Sequence, residues 1–511
     1  MLKRKQGFTL IELLAVIVIL ALIMVIATPM VLKVIEDAKK GAFKNSAYGI
    51  IKAAEYSYSL QIMNNDNIEE MEYQYIDGVE TSVMGNNNLD YKGNPPQNGT
   101  IVINKKGEIA LALHDGKYCI EKDYHSDEVV IIKKSLEDCL SDFKLVDISG
   151  ANQPKLVQGM TPVIWDETNK NWIVASNIDN PYKQNWYDYE HKKWANARTD
   201  DGSFWVWIPR YAYKIGNNFH TNIADTIDIK FLKGTTNSAR DETTIEISGY
   251  EIGVKDTSNH YFLHPAFKFG NDDILGFWVA KFEPSGSGDN ISIKPDEVPL
   301  VDQDLKTQYN LAFNMKNDSK FGWENATVDT HMAKNIEWGA IAYLTQSKHG
   351  KNDTLLTNNE HLTGRGIYYS SSLSQTTTGT IYGIYDIRGC SSEIVMANFL
   401  TKDSNDQYKR TIGDSGFLQS ELDEIDSKYI DEYTEYNGEI FGDAVYETSF
   451  DDNNQNSWHN EYSDFPTSNN PWFLRGGFFG DGPTGAFFFR NADGDVGVNL
   501  YRTFRPIVIC Q

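Results

Sequence analysis

The chain is poor in cysteine, in positive charge and in long apolar runs. Its four cysteines would permit disulfides in an oxidising compartment without requiring them. Lys and Arg number 47 against 71 Asp and Glu, which gives a net charge of −24. This balance argues against binding to nucleic acid or to anionic lipid, and it fits a solvated, acidic extracellular surface. Beyond residue 32, no apolar run reaches the roughly 18 residues that a second membrane span needs.

One long apolar run does occur, at residues 13–32, close to the N-terminus. As a helix, about 20 residues extend roughly 30 Å, which is enough to cross the hydrocarbon core of a bilayer. The basic cluster Lys3-Arg4-Lys5 precedes the run, and positive charge favours the cytoplasmic side. We therefore expect everything after residue 33 to lie outside the membrane.

Glu12 and Pro29 distinguish this segment from an ordinary secretory signal. The apolar run ends without a small-residue cleavage site, so the indicated cleavage point lies before it, between Gly7 and Phe8. A carboxylate at the edge of a membrane helix is costly and usually has a partner. For Glu12, that partner would be the Phe8 amine of a neighbouring chain. Pro29 removes a backbone donor and predicts a kink.

These residues resemble the class III signal of type IV prepilins and pseudopilins. The match is Gly7-Phe8-Thr9-Leu10-Ile11-Glu12-Leu13-Leu14, with Pro29 at the family's proline position. The resemblance implies cleavage after Gly7 by a prepilin peptidase, N-methylation of Phe8, and assembly with other pilin subunits through Glu12 and the N-terminal helix. A plain signal anchor with a chance glutamate is the alternative.

A small domain is predicted to follow the span. Residues 33–63 continue as helix, because apolar residues recur at helical spacing among charged ones, whereas the polar residues 68–98 are predicted to be loop. Cys119 and Cys139 bracket the last predicted strand. A disulfide between them is predicted to close the sheet, with buried free thiols as the alternative. Short apolar runs separated by turn signals predict strands at 100–103, 109–113, 118–120 and 129–132.

Tryptophan usage indicates a second domain. All 11 tryptophans lie at Trp165 or later, and residues 147–154 are the predicted junction. In the remaining chain, residues 204–211 and 275–282 predict strands, and residues 333–344 predict a short helix. Long polar connections separate these elements, so we expect one large, loop-rich domain.

The C-terminal third carries Arg475-Gly476-Gly477 and the terminal run Phe504-Arg505-Pro506. This pair of segments resembles the formylglycine-generating-enzyme (sulfatase-modifying-factor) branch of the C-type-lectin fold, in which an Arg-Gly-Gly segment packs against a terminal Phe-Arg-Pro strand. The resemblance covers roughly residues 155–511 and implies a fold more than a function, because one fold hosts unrelated activities. Further blocks that fit it are residues 205–211, 264–267, 334–340, 382–386 and 442–444.

Three arginines and two glycines of this region are interpreted as structural. Arg475, Arg490 and Arg505 lie within apolar segments, where a guanidinium needs carboxylate or carbonyl partners, so we expect them to tie loops to the core. Gly476 and Gly477 permit a close backbone approach or a positive φ.

Catalysis is not expected. The formylglycine-generating enzymes carry a copper-binding cysteine pair just after the Arg-Gly-Gly segment, whereas residues 478–489 contain no cysteine. The histidines are scattered, and no spacing typical of a metal site is evident among His264, His331 and His349. Glu337 and Asp386 are interpreted as solvated surface carboxylates and not as a catalytic pair.

No cofactor is expected, with calcium left open. The Glu-Pro-Asn, Gln-Pro-Asp and Trp-Asn-Asp tripeptides of sugar-binding C-type lectins are absent. Oxygen ligands of the kind calcium prefers cluster at residues 451–454 and 491–495. A solvated loop is the more common outcome for such clusters.

Between residues 478 and 501, glycine alternates with aromatic residues and with Asn or Asp. Such mixtures suit adaptable recognition. The stretch resembles the variable region of diversity-generating-retroelement target proteins, which display a binding face on this same fold. A packed phenylalanine core is the alternative for part of the run. The candidate ligand-binding face consists of Phe478, Phe479, Asp481, Phe487, Phe489, Asn491, Asp493, Asp495, Asn499 and Tyr501.

The sequence therefore predicts an α+β protein in four parts. They are a class III prepilin leader (1–7), a pilin helix (8–63, spanning the membrane at 13–32), a small antiparallel sheet (64–150), and a large loop-rich C-type-lectin-like or formylglycine-generating-enzyme-like domain (151–511). The last part is several times larger than the small sheet and would crowd a helical filament. This favours a minor or tip subunit over the main repeating one.

The favoured function is a type IV pilin that displays an adhesin-like domain to an unknown surface ligand, protein or glycan. It would reside in the cell membrane as a prepilin and then on the extracellular pilus. Three alternatives remain open: a pseudopilin of a secretion or DNA-uptake machine, a retroelement target protein anchored by a pilin helix, and an enzyme on this fold.

Overall fold

The computed structural model describes most of the chain in two compact units, Met1–Leu145 and Val146–Gln511. Their boundary falls just before the predicted junction at residues 147–154. The predicted cleavage site, Gly7 and Phe8, lies outside the described residues. Those are 9–64, 70–84, 88–104, 106–124, 126–141, 146–181, 184–239, 261–288, 290–323, 328–438, 440–453, 455–492 and 501–510.

The first unit begins with a long helix, α1 (Leu10–Asn64), which continues through Pro29. Its most apolar 18-residue window has a mean hydropathy of 3.2, so the helix is long and apolar enough to cross a membrane. The side chains of that window are exposed in the isolated chain. The C-terminal half is different, because one face of it is buried in a small core. That face carries Phe43, Ala47, Ile50 and Ala54, which recur at three- and four-residue spacing.

An antiparallel sheet completes this core, and it has two more strands than we predicted. Residues 68–98 were expected to be loop. The expectation is wrong for residues 70–84, which form a hairpin around Asp77-Gly78, and it is confirmed for residues 88–97. Met71, Tyr73 and Tyr75 alternate inward, which is strand periodicity. The sheet order is β2-β1-β3-β4-β5-β6. Its elements are β1 (Glu70–Ile76), β2 (Val79–Met84), β3 (Asn98–Asn104), β4 (Ile109–His114), β5 (Cys119–Lys122) and β6 (Val130–Ile132), followed by α2 (Leu136–Ser141).

The predicted disulfide is confirmed. Cys119 of β5 and Cys139 of α2 are bonded, with their Cα atoms 5.5 Å apart. The bridge joins the short helix to the sheet across a separation of 20 residues. Both cysteines are fully buried.

The second unit contains two main sheets and several small ones. A seven-stranded sheet has the order β19-β26-β16-β10-β9-β7-β8, and a second sheet is built on β20. The strands are β7 (Met160–Asp166), β8 (Asn171–Val174), β9 (Asn196–Thr199), β10 (Phe204–Pro209), β11 (Tyr211–Lys214), β12 (Asp228–Phe231), β13 (Phe262–Leu263), β14 (Lys268–Phe269), β15 (Asp272–Asp273), β16 (Gly276–Ala280), β17 (Ser285–Ser287), β18 (Asn290–Ser292), β19 (Val328–Met332), β20 (Ser392–Lys402), β21 (Tyr408–Arg410), β22 (Asp431–Tyr433), β23 (Trp472–Arg475), β24 (Phe489–Ala492), β25 (Arg502–Thr503) and β26 (Pro506–Cys510).

Helices are short in this unit. The predicted helix at 333–344 is present as α4 (Asn335–Thr345), and it is buried on every side. The helix α3 (Leu305–Asn314) was not predicted, although Asp304 caps it by accepting the Thr307 backbone N–H. A further short helix is α5 (Gln419–Asp423). Single 3₁₀ turns connect many strands, at Tyr189–His191, Pro265–Phe267, Met315–Asn317, Ser319–Phe321, Thr363–Tyr368, Leu373–Gln375, Ser427–Tyr429, Tyr446–Thr448 and Trp458–Asn460.

The predicted strand at 204–211 is two strands in the structure. Arg210 separates β10 from β11, and its buried guanidinium pairs with Asp273 at 3.0 Å and donates to the Phe267 carbonyl at 2.9 Å. The two strands therefore belong to different sheets. Large aromatic side chains fill the core between the sheets, including the fully buried Trp186, Trp194, Trp205, Trp207, Trp278, Trp338, Trp458 and Trp472.

Candidate functional site

The sheet built on β20 separates an inner face from an outer one. In the register, Ser392 is opposite Arg502, Ile394 is opposite Leu474, and Leu474 is opposite Arg490. Directly opposed residues share a face, and so do residues two apart on a strand. These five residues therefore lie on the same face, across strands β25, β20, β23 and β24.

The inner face carries a fully buried ion pair. Glu393 accepts from Nε of Arg505 at 3.1 and 3.0 Å and also from its Nη2. The remaining guanidinium donors reach the carbonyls of Ala280 at 2.7 Å and Tyr385 at 3.1 Å. Burial alone would lower the pKa of Arg505, but the Glu393 carboxylate outweighs it and raises that pKa. Arg505 thus ties β26 to β20 and β16, as expected for a structural residue.

Arg475 also lies on the inner face, opposite Glu393. Its guanidinium is fully buried, donates to the Ala444 carbonyl at 3.2 Å, and lies 5.6 Å from the centre of the Trp338 ring. Burial lowers the pKa of Arg475 to about 10, against the attraction of Asp443, so the side chain is charged at neutral pH.

The two glycines after Arg475 turn the chain from the core to the surface. Gly476 and Gly477 have φ of +76° and +70°, a region that other residues rarely adopt. A Cβ on Gly477 would also lie 2.3 Å from Cγ2 of Thr484. After this turn, Phe478 and Phe479 lie at the surface, where both are partly exposed.

On the outer face the structure forms an open depression of about 510 Å³, which we call the arginine depression. That volume falls within the range typical of small-ligand sites. Strand residues form its floor and the segment after Gly477 forms one wall. Its lining residues are Ser392, Leu474, Phe478, Asp481, Phe488, Arg490, Tyr501 and Arg502.

A cluster of aromatic rings borders the arginine depression. Phe478 and Tyr501 stack with their ring centres 4.7 Å apart. Phe479 meets Tyr501 edge-on at 5.5 Å, and His361 lies 5.8 Å from Phe479. Tyr501 remains 37% exposed. The cluster therefore presents an amphipathic aromatic surface next to the arginines.

Charge at the depression is mixed. Arg490 is exposed, and Asp481 accepts the Phe478 backbone N–H at 3.2 Å. Partial burial raises the pKa of Asp481, while that hydrogen bond and the attraction of Arg490 counteract the rise. A carboxylate and two guanidiniums thus face the same space.

The structure brings some residues of the predicted ligand-binding face together and buries others in the core. Phe478, Phe479, Asp481 and Tyr501 come together at the depression. Phe487 and Phe489 do not, since they are 1% and 0% exposed, and their expected exposure is wrong. Phe487 packs on Trp458 at 5.1 Å, and Phe489 is opposite Arg475 on the inner face, so both belong to the phenylalanine core that we gave as the alternative.

Two other sequence predictions concern this region. Asn491 is partly exposed and accepts a hydrogen bond from Asn470 at 3.0 Å. Asp493, Asp495 and Asn499 lie outside the described residues. Arg490 is exposed at the depression, where its charge attracts the carboxyls of Asp481 and Asp464, so the structural role expected for it stays a prediction.

Sequence reasoning missed five residues of the site: Ser392, Leu474, Phe488, Arg502 and His361. Arg502 carried only a weak signal. It lies three positions before Arg505, but an odd separation places two side chains on opposite faces only within one strand, and Arg505 lies between β25 and β26. Ser392 and His361 carried none, because only the tertiary fold brings residues this distant in sequence to the same surface.

The surface interpretation of Glu337 and Asp386 is wrong, since both are 1% exposed. Glu337 accepts from His331 at 3.0 Å and from the Lys334 backbone at 2.8 Å. Asp386 accepts from the Gly364 backbone at 2.9 Å and from Asn358 at 2.8 Å. The two carboxylates therefore have different hydrogen-bond partners in different parts of the chain.

The histidines considered as ligands are also buried. Burial lowers the pKa of His264 to about 3 and that of His349 to about 4. His331 differs, because the neighbouring carboxylates Glu337 and Asp329 overcome burial and raise its pKa. Within the described ranges, no group of three or more His, Cys, Asp or Glu is arranged to hold a metal ion.

At the N-terminal end of α1, Glu12 caps its own helix. Its Oε2 accepts the Thr9 backbone N–H at 2.8 Å and the Thr9 hydroxyl at 2.9 Å. A carboxylate is favourable at a helix N-terminus because it satisfies a free backbone donor. In the isolated chain the carboxylate is thus held at the first turn of the apolar helix.

The comparisons with known proteins concern this N-terminal segment. Residues 2–28 match the family described as the prokaryotic N-terminal methylation motif. A search of curated proteins found none that matches the chain. The matched segment includes the Gly7–Phe8 junction, Glu12 and the first part of the apolar helix, and it supports a type IV pilin-like or pseudopilin protein.

Proposed function

We propose that this chain is a minor or tip subunit of a type IV pilus that displays a ligand-binding, adhesin-like domain on the cell surface. A prepilin peptidase would cleave it between Gly7 and Phe8, and Phe8 would be N-methylated. The helix α1 would hold it first in the membrane and then against other pilin subunits. The match of residues 2–28 to the methylation motif is the observation that carries the proposal.

The two halves of α1 support an assembly role. The N-terminal half is apolar and exposed, whereas one face of the C-terminal half is buried against the sheet of its own unit. Lys117, in the turn between β4 and β5, pairs with Glu36 of the helix at 3.3 Å, so the contacts extend back toward the apolar half. A helix that leaves about 20 apolar residues uncovered needs lipid or other helices to cover them.

The large unit supports a display role. It carries an open depression flanked by aromatic and charged side chains, which suits recognition of a ligand. We further propose that it binds without catalysis and without a cofactor. Cys390 and Cys510 are both buried, and the segment after Arg475-Gly476-Gly477 has no cysteine.

Mass spectrometry of sheared surface filaments tests the assembly step. We expect an N-terminal peptide that begins at N-methylated Phe8. Glu12→Ala should still be processed but should be lost from filaments, because the charge that pairs with a neighbouring Phe8 amine is gone. Asp37→Ala removes an exposed carboxylate of the same helix, outside the span, and serves as the matched control. A protein that begins at Met1 and occurs only in membranes contradicts the proposal.

The same motif fits a pseudopilin of a secretion or DNA-uptake machine. Immunogold labelling of the large unit distinguishes the two. Sparse or terminal labels on surface filaments support the pilus subunit. Co-purification with a secretion ATPase and platform proteins, with no labelled filament outside the cell, supports the pseudopilin.

A further inference from the structure

We propose that the arginine depression binds the carboxylate of an acidic sugar, with Arg490 and Arg502 as the groups that recognise it. This inference rests on the proposed role of the large unit as a ligand-binding domain. It adds the chemical class of the ligand, and it assigns Arg490 and Arg502 to recognition.

Two arginines at one depression are unusual for this chain, which has a net charge of −24. Arg490 extends from β24 and Arg502 from β25, and both are on the outer face of the β20 sheet. Leu474 and Ser392 lie between them on that face. A planar guanidinium fits a carboxylate through two parallel hydrogen bonds, so this pair favours an anionic ligand with oxygen atoms in a plane.

The same two arginines also border a second, smaller space. Its lining is Asn470, Leu474, Arg490, Asn491, Ala492 and Arg502, and its volume is about 190 Å³. The amides of Asn470 and Asn491 are hydrogen-bonded to one another there. The arginines therefore stand between an aromatic surface on one side and amide groups on the other.

This arrangement matches an acidic sugar better than an acidic peptide. A sugar ring offers C–H groups to the Phe478 and Tyr501 rings and several hydroxyls to Ser392, Asp481 and the amides. Asp481 can accept a hydrogen bond from a hydroxyl, but it repels a chain of carboxylates, as does the acidic surface of the protein. The volume of the arginine depression suits one or two sugar rings.

Binding of matched sugar pairs to the full chain tests this inference. The chain is purified in detergent, so the result does not depend on filament assembly. Glucuronic acid is compared with glucose, and galacturonic acid with galactose, because each pair differs only in a carboxylate for a hydroxymethyl group. N-acetylneuraminic acid and an oligo-glutamate peptide complete the set. We expect at least one acidic sugar to bind about tenfold or more tightly than its neutral partner or than the peptide.

Substitutions then localise the effect. Arg490→Gln and Arg502→Gln should each weaken binding of the acidic sugar about tenfold or more, while leaving the weak binding of the neutral sugar nearly unchanged. Lys402→Gln is the matched control, since Lys402 lies on β20 but does not line the depression. Circular dichroism and the midpoint of urea unfolding establish that each variant is folded.

Three results overturn the inference, and they separate it from the proposed function. If acidic and neutral sugars bind equally and Tyr501→Ala abolishes the binding of both, the large unit is a ligand-binding domain but does not recognise a carboxylate. Preference for the glutamate peptide identifies a protein ligand instead. If no acidic sugar binds at millimolar concentration, the arginine depression is not a binding site for acidic sugars. None of these results bears on processing at Gly7 and Phe8, which the filament experiment measures separately.

Discussion

Adjacent residues of β20 face opposite sides of the sheet, so one stabilises the core of the large unit while the next lies at the candidate binding site. Glu393 points inward to Arg505, while Ser392, one position earlier, points outward to the arginine depression. The inner pair is fully buried, and Glu393 exerts the largest attraction on Arg505, ahead of Glu283 and Asp386. The outer arginines, Arg490 and Arg502, line the arginine depression instead. Substitutions on the two faces should therefore differ in kind.

The buried pair gives the first prediction. Glu393→Gln should lower the free energy of unfolding of the large unit by about 3–5 kcal/mol, because it leaves the Arg505 charge buried without its carboxylate. Glu432→Gln is the control, since Glu432 pairs with Arg410 at 2.6 Å but is 39% exposed, and it should cost less than about 1 kcal/mol. Urea unfolding followed by tryptophan fluorescence measures both. All 11 tryptophans belong to this unit. Equal effects of the two substitutions would contradict the argument.

Gly477 gives a second prediction at this scale. Gly477→Ala places a Cβ 2.3 Å from Thr484 in addition to the unfavourable positive φ. Gly288→Ala is the control, because Gly288 also has a positive φ but an added Cβ there meets nothing within 4 Å. We expect the first to cost about 1–3 kcal/mol more than the second, owing to overpacking. Thermal unfolding measures the difference, and a smaller cost at Gly477 argues against a tight turn.

At the scale of elements, the sequence predicts the helices and strands with a clear apolar periodicity, and it misses those that depend on contacts with distant parts of the chain. The apolar run of α1, the strands 100–103 and 109–113, and the Cys119–Cys139 disulfide follow from local pattern and chemistry. The hairpin of β1 and β2 was missed because its alternating apolar residues are interleaved with glutamates. Its Asp77-Gly78 dipeptide is a hairpin signal in its own right, and the polar composition outweighed it in our prediction.

The candidate site was only partly predictable for the same reason. Composition identified Phe478, Phe479, Asp481 and Tyr501, because aromatic and acidic residues concentrate in that stretch. It could not separate Phe487 and Phe489 from them, since facing depends on the register between β23 and β24. A shift of one residue moves every side chain to the other face. Register with distant strands is a tertiary property.

The disulfide gives a prediction at the element scale. Replacing both Cys119 and Cys139 with Ala should destabilise the first unit by about 3 kcal/mol, because the reduced chain regains the freedom of a loop of about 20 residues. Hydrogen exchange of peptides from β4, β5 and α2 measures the loss. Tryptophan fluorescence of the large unit is the internal control and should keep its unfolding midpoint. Unchanged exchange in α2 would show that the bridge does not stabilise this unit.

At the scale of the whole molecule, buried carboxyls make stability depend on pH. Burial raises the pKa of Asp386 and Asp431 to about 6, and that of Asp443, Glu447 and Glu461 to about 7. In the unfolded chain such groups titrate near about 4. The folded state thus binds more protons between those values. The stability they contribute is complete below about pH 4 and is lost as pH rises through about 6 to 7.

We therefore expect the large unit to be less stable at about pH 8 than at about pH 6. The buried His264 and His349 oppose this trend in part, because an unfolded histidine with a pKa of about 6.5 is still largely protonated at about pH 6, and the cost of burying it neutral disappears by about pH 8. The five carboxyls outnumber these two histidines. Urea unfolding across this range measures the slope. Glu461→Gln should flatten it, whereas the exposed Glu360→Gln should not. Stability that rises from about pH 6 to about pH 8 excludes these carboxyls as the dominant groups.

The position of β26 has a consequence for the order of events during export. This strand, near the end of the chain, lies between β19 and β16 inside the seven-stranded sheet. On the proposed topology the N-terminus stays in the cytoplasm, and the chain after residue 33 would cross the membrane in sequence order, so that β10 and β16 would be outside before residues 506–510 arrive. The sheet therefore remains open during translocation, with apolar strand edges exposed. A chaperone outside the membrane, or rapid completion of translocation, would protect the unfinished domain from aggregation.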